Sequence, residues 1–142
     1  MATILCATRG GEASIRTQEY AIAQAKERQA DIVFFFVFDV KFLSHTGAPI
    51  MLNVAATELE HMGEFLLLMA KERAENAGVQ ASTLTKYGVF NEALIEAAEE
   101  IDAQLIILGS PGEGAVTERG NLEKLVESVQ ERTGIDTVIA DD

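Results

Sequence analysis

Cysteine is nearly absent from this 142-residue chain: Cys6 stands alone, which excludes an intrachain disulfide and fits a reducing compartment. Basic residues are also scarce, 11 against 23 acids, leaving a net charge of −12. So acidic a surface repels phosphate backbones and anionic lipid headgroups, because nucleic-acid affinity comes chiefly from Lys and Arg displacing counterions. Neither nucleic acid nor a membrane surface is expected as a partner. No apolar run reaches the length of a membrane span. Met1–Leu5 has no basic n-region and no small-residue cleavage site, so the expected location is the cytoplasm. The two histidines, His45 and His61, lie far apart without ligand-like spacing, and no metal site is expected.

What is present is the composition of an ordinary globular protein, 48% apolar and 24% charged. The length fits one domain over residues 1–142, with a core that needs no staples. Three short apolar runs read as buried strands: Thr3–Ala7, Ile32–Phe38 and Leu105–Leu108. They are continuous rather than alternating, as parallel strands covered on both faces should be. Val79–Tyr87 and Asp136–Ala140 are weaker and suit sheet edges.

Helical patterns separate the strands. Glu12–Gln29 carries Ile15, Ile22 and Ala25 on one face. Val54–Asn76 carries Leu59, Met62, Leu66 and Met69, read as core positions, with Gly78 as the stop. Asn91–Ala103 carries Leu94, Ile95, Ala98 and Ile101, with Asn91 as a candidate N-cap. The last helix starts between Thr117 and Asn121, ends before Gly134, and carries Leu122, Leu125, Val126 and Val129. The order β-α-β-α-β-α-β-α-β with right-handed crossovers predicts an open, doubly wound, mostly parallel five-stranded α/β sheet with helices on both faces. In such sheets ligands bind outside the carboxyl ends of the strands, where the strand order reverses. The segments Thr8–Glu12, Asp39–Asn53, Gly88–Asn91 and Gly109–Gly120 therefore deserve scrutiny. Asp39–Asn53 is long for such a connection, and Phe42, Leu43 and Ile50–Leu52 are too apolar to lie open in water.

Ile4-Leu5-Cys6-Ala7-Thr8-Arg9-Gly10-Gly11-Glu12-Ala13-Ser14 resembles the opening of the universal stress protein family, in which a strand ends in Asp-Gly-Ser-Glu-Ala-Ser. Tyr87-Gly88 before Glu92–Glu96, then Ala103-Gln104-Leu105-Ile106-Ile107-Leu108-Gly109-Ser110, resembles that family's third helix, fourth strand and glycine loop. The resemblance covers essentially the whole chain. It implies strand order 3-2-1-4-5, a cytoplasmic and often dimeric protein, and membership of either an ATP-binding or a non-binding class. The ligand would lie at Thr8, Arg9, Gly10 and Val37 and along the loop carrying Gly109, Gly112, Gly120 and Asn121.

Against the ATP-binding pattern Gly-x2-Gly-x9-Gly-Ser/Thr, Gly109-Ser110-Pro111-Gly112 supplies only the first half. The required Gly-Ser falls on Leu122-Glu123, and Gly120-Asn121 comes two residues early. Pro111 donates no N–H, and Glu113 and Glu118 repel phosphate. The nucleoside-binding Asp of the family aligns with Arg9, which can only donate and could reach Asp39 instead. Gly10 and Gly11 also fit a simple tight turn, and the short loop with Arg9 could hold another anion. A weaker echo of the pyrophosphate-loop ATPases lacks their Ser and Asp. Cys6 lies inside a strand, and the acidic run Glu92–Asp102 fits a solvated helix face, with protein docking as its alternative. No nucleophile–base pair appears, so no catalytic residue is expected.

The expected function is thus that of a non-enzymatic stress-response protein acting through homodimerisation and protein contacts, without ATP bound in the usual way and with no cofactor. The alternative is a sensor of ATP, AMP or another anion. The apolar loop Phe42–Leu52 and the short strand Thr137–Ala140 both leave surfaces that a second copy could cover.

Overall fold

The apolar runs of the sequence become the interior of one parallel sheet. A computed structural model describes residues 2–7, 12–38, 49–109 and 119–140. Its elements are β1 (Thr3–Ala7), α1 (Glu12–Arg28), β2 (Asp31–Phe38), α2 (Pro49–Asn76), β3 (Ala81–Tyr87), α3 (Phe90–Glu100), β4 (Leu105–Gly109), α4 (Arg119–Thr133) and β5 (Asp136–Ala140). The strands pair in parallel in the order β3-β2-β1-β4-β5, as the resemblance implied. The run Ile32–Phe38 is interior, between β1 and β3. The two weaker runs form the edges, where fewer apolar side chains are needed.

Side chains alternate across the sheet and divide the core in two. Ile4, Cys6, Ile32, Phe34, Leu105 and Ile107 face α1 and α2, whose Ala21, Ala25, Leu67, Ala70 and Ala74 pack against them. Leu5, Ala7, Phe35, Ile106 and Leu108 face α3 and α4, meeting Leu94, Ala97, Ala98, Leu125 and Val129. Both layers exclude water, and this burial supplies most of the driving force for folding. Cys6 is fully buried, and burial pushes its thiol up to about 12. The unfolded chain ionises this thiol in the ordinary range while the fold keeps it neutral. Stability linked to Cys6 is therefore complete below about pH 9 and falls as pH rises toward 12. We expect Cys6→Ala to flatten that alkaline slope in urea titrations. We also expect thiol reagents to label native protein only at its unfolding rate; rapid labelling of native protein would contradict this burial.

Several expectations need correction. Helix α2 begins at Pro49, inside the segment Asp39–Asn53 read as a loop; proline suits a first turn because its missing N–H would be unpaired there anyway. The N-cap of α3 is Val89, in extended conformation, so Asn91 lies within the first turn. Ile15 is exposed, and α1 buries Thr17 and Gln18 beside Ala21 and Ile22. In α2 the phase shifts: Met62 and Met69 are exposed and Leu66 half-buried, while Gly63, Leu67, Ala70 and Ala74 face inward. The stop near Gly78 is as expected, with φ +86° there and the Val79 N–H donating to the Ala74 carbonyl at 2.9 Å. The side chains of Leu59 and Leu122 lie outside the described residues, as do Phe42 and Leu43.

The acidic helix α3 does not stand wholly in solvent. Lys86 of β3 reaches Glu100 at 2.9 Å and Glu96 at 3.0 Å, and both hydrogen bonds hold its ammonium above the usual range. Arg132 of α4 donates to both oxygens of Glu92, at 3.0 and 3.2 Å, and lowers that carboxyl. Exposed pairs such as these fix helix positions more than they add stability.

Candidate functional site

Parallel strands bring their carboxyl ends to one edge of the sheet. The chain moves from β1 outward to β2 and β3, then crosses to β4 on the other side of β1. The reversal of direction beside β1 opens the crevice where doubly wound sheets take their ligands. Ala7 closes β1 there, level with Phe35 of β2, and Gly109 closes β4, level with Ala140. Val37, a site position by resemblance, lies two residues beyond Phe35 and packs, half-buried, on the α3–α4 side. The structure thus brings Val37 and Gly109 to the same edge. Thr8, Arg9, Gly10 and Gly112 lie outside the described residues, as does any contact between Arg9 and Asp39.

Gly109 has a packing reason to be glycine. A Cβ at this position would stand 2.8 Å from Thr17 Oγ1 on α1, closer than side chains tolerate. Thr17 is itself buried. The second turn of α1 therefore closes against the end of β4, and Gly109 admits it. This contact gives Gly109 a role that requires no phosphate. Thr17 was not singled out by the sequence pattern; the available sign was its spacing, four residues before Ala21 and eight before Ala25 on the inward face of α1.

Helix α4 starts at Arg119, within the expected window. Gly120 and Asn121 occupy its first turn, where backbone N–H groups have no intrahelical partner. That turn contains no acidic residue. Leu122 and Glu123, where the ATP-binding pattern requires Gly-Ser, are both helical, and Glu123 is exposed. The helix therefore begins three residues ahead of the position at which the ATP-binding pattern requires Gly-Ser, and Leu122 and Glu123 put an apolar and an acidic residue where that pattern has a glycine and a hydroxyl.

The family model described as the universal stress protein family matches residues 1–133. The chain belongs to the universal stress protein family. A universal stress protein of Methanocaldococcus jannaschii is 31% identical over 130 residues, covering 91% of this chain and 73% of that one. Among solved structures, the universal stress protein UspA from Lactobacillus plantarum aligns over 99% of this chain and 97% of its own, with TM-score 0.79 and 16% identity. A universal stress protein from Archaeoglobus fulgidus in complex with dAMP aligns over 99% and 98%, with TM-score 0.64 and 12% identity. At such identities the structural likeness shows the fold of the universal stress proteins, which the strand order already displays.

No group of three metal-ligating side chains occurs among the described residues, and no described helix is long and apolar enough to cross a membrane. A depression of about 260 Å³ lined by Met69, Glu72, Arg73 and Asn76 lies at the far end of α2. Because α2 leads back to the start of β3, this depression sits at the opposite edge of the sheet from the crevice.

Proposed function

We propose that this universal stress protein is a non-enzymatic stress-response protein acting through contacts with a second copy and with protein partners, and that it does not hold ATP in the family's usual way. The observation carrying this reading is the start of α4 at Arg119, which puts the helix N-terminus three residues early and leaves Leu122 and Glu123 where the ATP-binding pattern requires Gly-Ser. The Thr17 contact at Gly109 adds support, since it accounts for the first glycine of the motif by packing. On this reading the protein is cytoplasmic and needs no cofactor.

A second reading, an anion or adenine-nucleotide sensor, is favoured by the acid-free first turn of α4 at the crevice and by the dAMP held by the Archaeoglobus relative. Unpaired N–H groups at such a turn attract phosphate. Its site would comprise Thr8, Arg9, Gly10 and Val37, with Gly109, Gly112, Gly120 and Asn121 opposite.

Calorimetric titration with ATP, AMP and inorganic phosphate separates the two. We expect no heat of binding with ATP at micromolar concentrations. Micromolar ATP affinity would overturn the first reading, and binding of AMP or phosphate lost in Arg9→Ala would establish the second.

A further inference from the structure

An open sheet leaves two edges, and β3 is one of them. Ile32 N–H donates to the Gln80 carbonyl at 3.1 Å, and Ile32 stands level with Ala81. This register commits the backbone of Gln80, Ser82, Leu84 and Lys86 to β2. Ala81, Thr83 and Thr85 turn their N–H and C=O groups the other way, and nothing among the described residues takes these groups up. The strand lacks the proline or bulge that commonly blunts an edge, and its Thr and Tyr side chains suit extended pairing. Lys86, its one lysine, is drawn onto α3 by Glu96 at 3.0 Å and Glu100 at 2.9 Å instead of guarding the edge.

Charge around this edge is uneven. The Tyr87 hydroxyl donates to Glu60 of α2, and Glu64 follows one turn along that helix. Glu60, Glu64, Glu96 and Glu100 thus crowd the carboxyl end of β3, and Lys86 offsets only part of their charge. Toward the amino end, Lys71 and Glu75 of α2 cancel. Helix α2 runs against the strands, so a rise of about 12 Å from Glu60 brings Leu68 level with Thr83. Leu68 is 60% exposed there.

We propose that the free edge of β3 takes an extended, basic segment of a partner protein, added antiparallel as a sixth strand. The inference rests on the reading that the protein acts through protein partners, and it names the surface and the chemistry of the partner. Hydrogen bonds to Ala81, Thr83 and Thr85 give affinity, and alternate side chains of the segment give selection. An apolar side chain at its middle covers Leu68, and Lys or Arg at its amino end meets the carboxylates beside Tyr87. Antiparallel bonding is somewhat stronger per residue, and doubly wound sheets often carry an antiparallel edge strand. A second copy of this chain suits the edge poorly, because each copy brings a net charge of −12.

Fluorescence anisotropy on the full chain tests this with a labelled, capped peptide of valine and threonine carrying two lysines at its amino end. We expect saturable binding with a Kd of roughly 10–100 μM at low salt. Moving the lysines to the carboxyl end, or replacing them with glutamate, should weaken it about tenfold. Thr85→Pro removes an outward N–H but leaves the bonds to β2, so it should weaken binding about tenfold with unchanged far-UV circular dichroism. Glu64→Lys, which leaves the backbone alone, should weaken it about fivefold. In hydrogen exchange the peptide should protect the amides of Thr83 and Thr85 and leave those of Leu84 and Lys86 as they were. Binding that spares neither amide from exchange and ignores Thr85→Pro would overturn the edge as its site. Equal binding with the lysines at either end would overturn the antiparallel direction. No binding below about 1 mM would overturn this surface alone, whereas micromolar ATP affinity would overturn the protein-contact reading and leave the peptide result standing.

Discussion

Gly109→Val is expected to destabilise the protein by about 3 kcal/mol or more, whatever it does to ligands. A Cβ at Gly109 meets Thr17 Oγ1 at 2.8 Å, and valine adds two methyl groups at the same buried junction of α1 and β4. Thr17 cannot swing into solvent, being 2% exposed, so either its rotamer or the seat of α1 must change. Gly109→Ala should cost about 1–3 kcal/mol, the range for overpacking a well-filled site. Strand preference for alanine over glycine offsets only a fraction of this. In the background Thr17→Ala, where Oγ1 and Cγ2 are gone, most of that cost should vanish. The double-mutant cycle in urea, at fixed protein concentration, should then show a coupling of at least about 1 kcal/mol. If Gly109→Ala is neutral, or if its cost is the same with and without Thr17, the close approach is not what holds glycine there. The result also governs how ligand data are read. Loss of nucleotide binding in a Gly109→Val protein would reflect a displaced α1 as readily as a broken phosphate cradle, so Arg9→Ala is the cleaner probe.

The strands were legible because covered parallel strands are written as unbroken apolar runs. Thr3–Ala7 and Asp136–Ala140 match β1 and β5 residue for residue, and the remaining three differ only at their ends. The phase of α2 was not legible, and the reason is physical. Leu66-Leu67-Leu68-Met69 is apolar around a whole turn, so spacing alone cannot choose the inward side. The inward side is marked instead by Gly63, Ala70 and Ala74, small residues that let a helix lie close to a sheet already filled by phenylalanines. Choosing the bulky stripe selected the outward face. At the site, the sequence pointed to the correct edge, since the strand order dictates it. It could not show that Gly109 faces Thr17, because that contact joins α1 to β4 across 92 positions of chain.

Phe35→Ala should be among the most costly single changes in the core, at about 3–5 kcal/mol. Phe34 and Phe35 are both fully buried, and each lies beside a small neighbour on β1: Phe34 is level with Cys6, Phe35 with Ala7. Large residues on β2 thus fill the space that small residues on β1 leave, on opposite faces of the sheet. When the Phe35 ring is removed, Ala7 has no side chain long enough to move into the gap, and Leu84 on the other side belongs to an edge strand already packed. Poor collapse puts the cost near the upper end of the range for truncated aromatics. Phe34→Ala should cost a similar amount through the α1–α2 layer, whereas Phe36→Ala, at a half-buried position, should cost distinctly less. Since a typical domain is stable by only about 5–15 kcal/mol, Phe35→Ala should remove a large share of the stability and lower the urea midpoint accordingly without altering the slope. A loss below about 1.5 kcal/mol for Phe35→Ala would mean that the α3–α4 layer can close over the gap. The large-on-small match between β2 and β1 would then not be what holds the crevice edge of the sheet in shape.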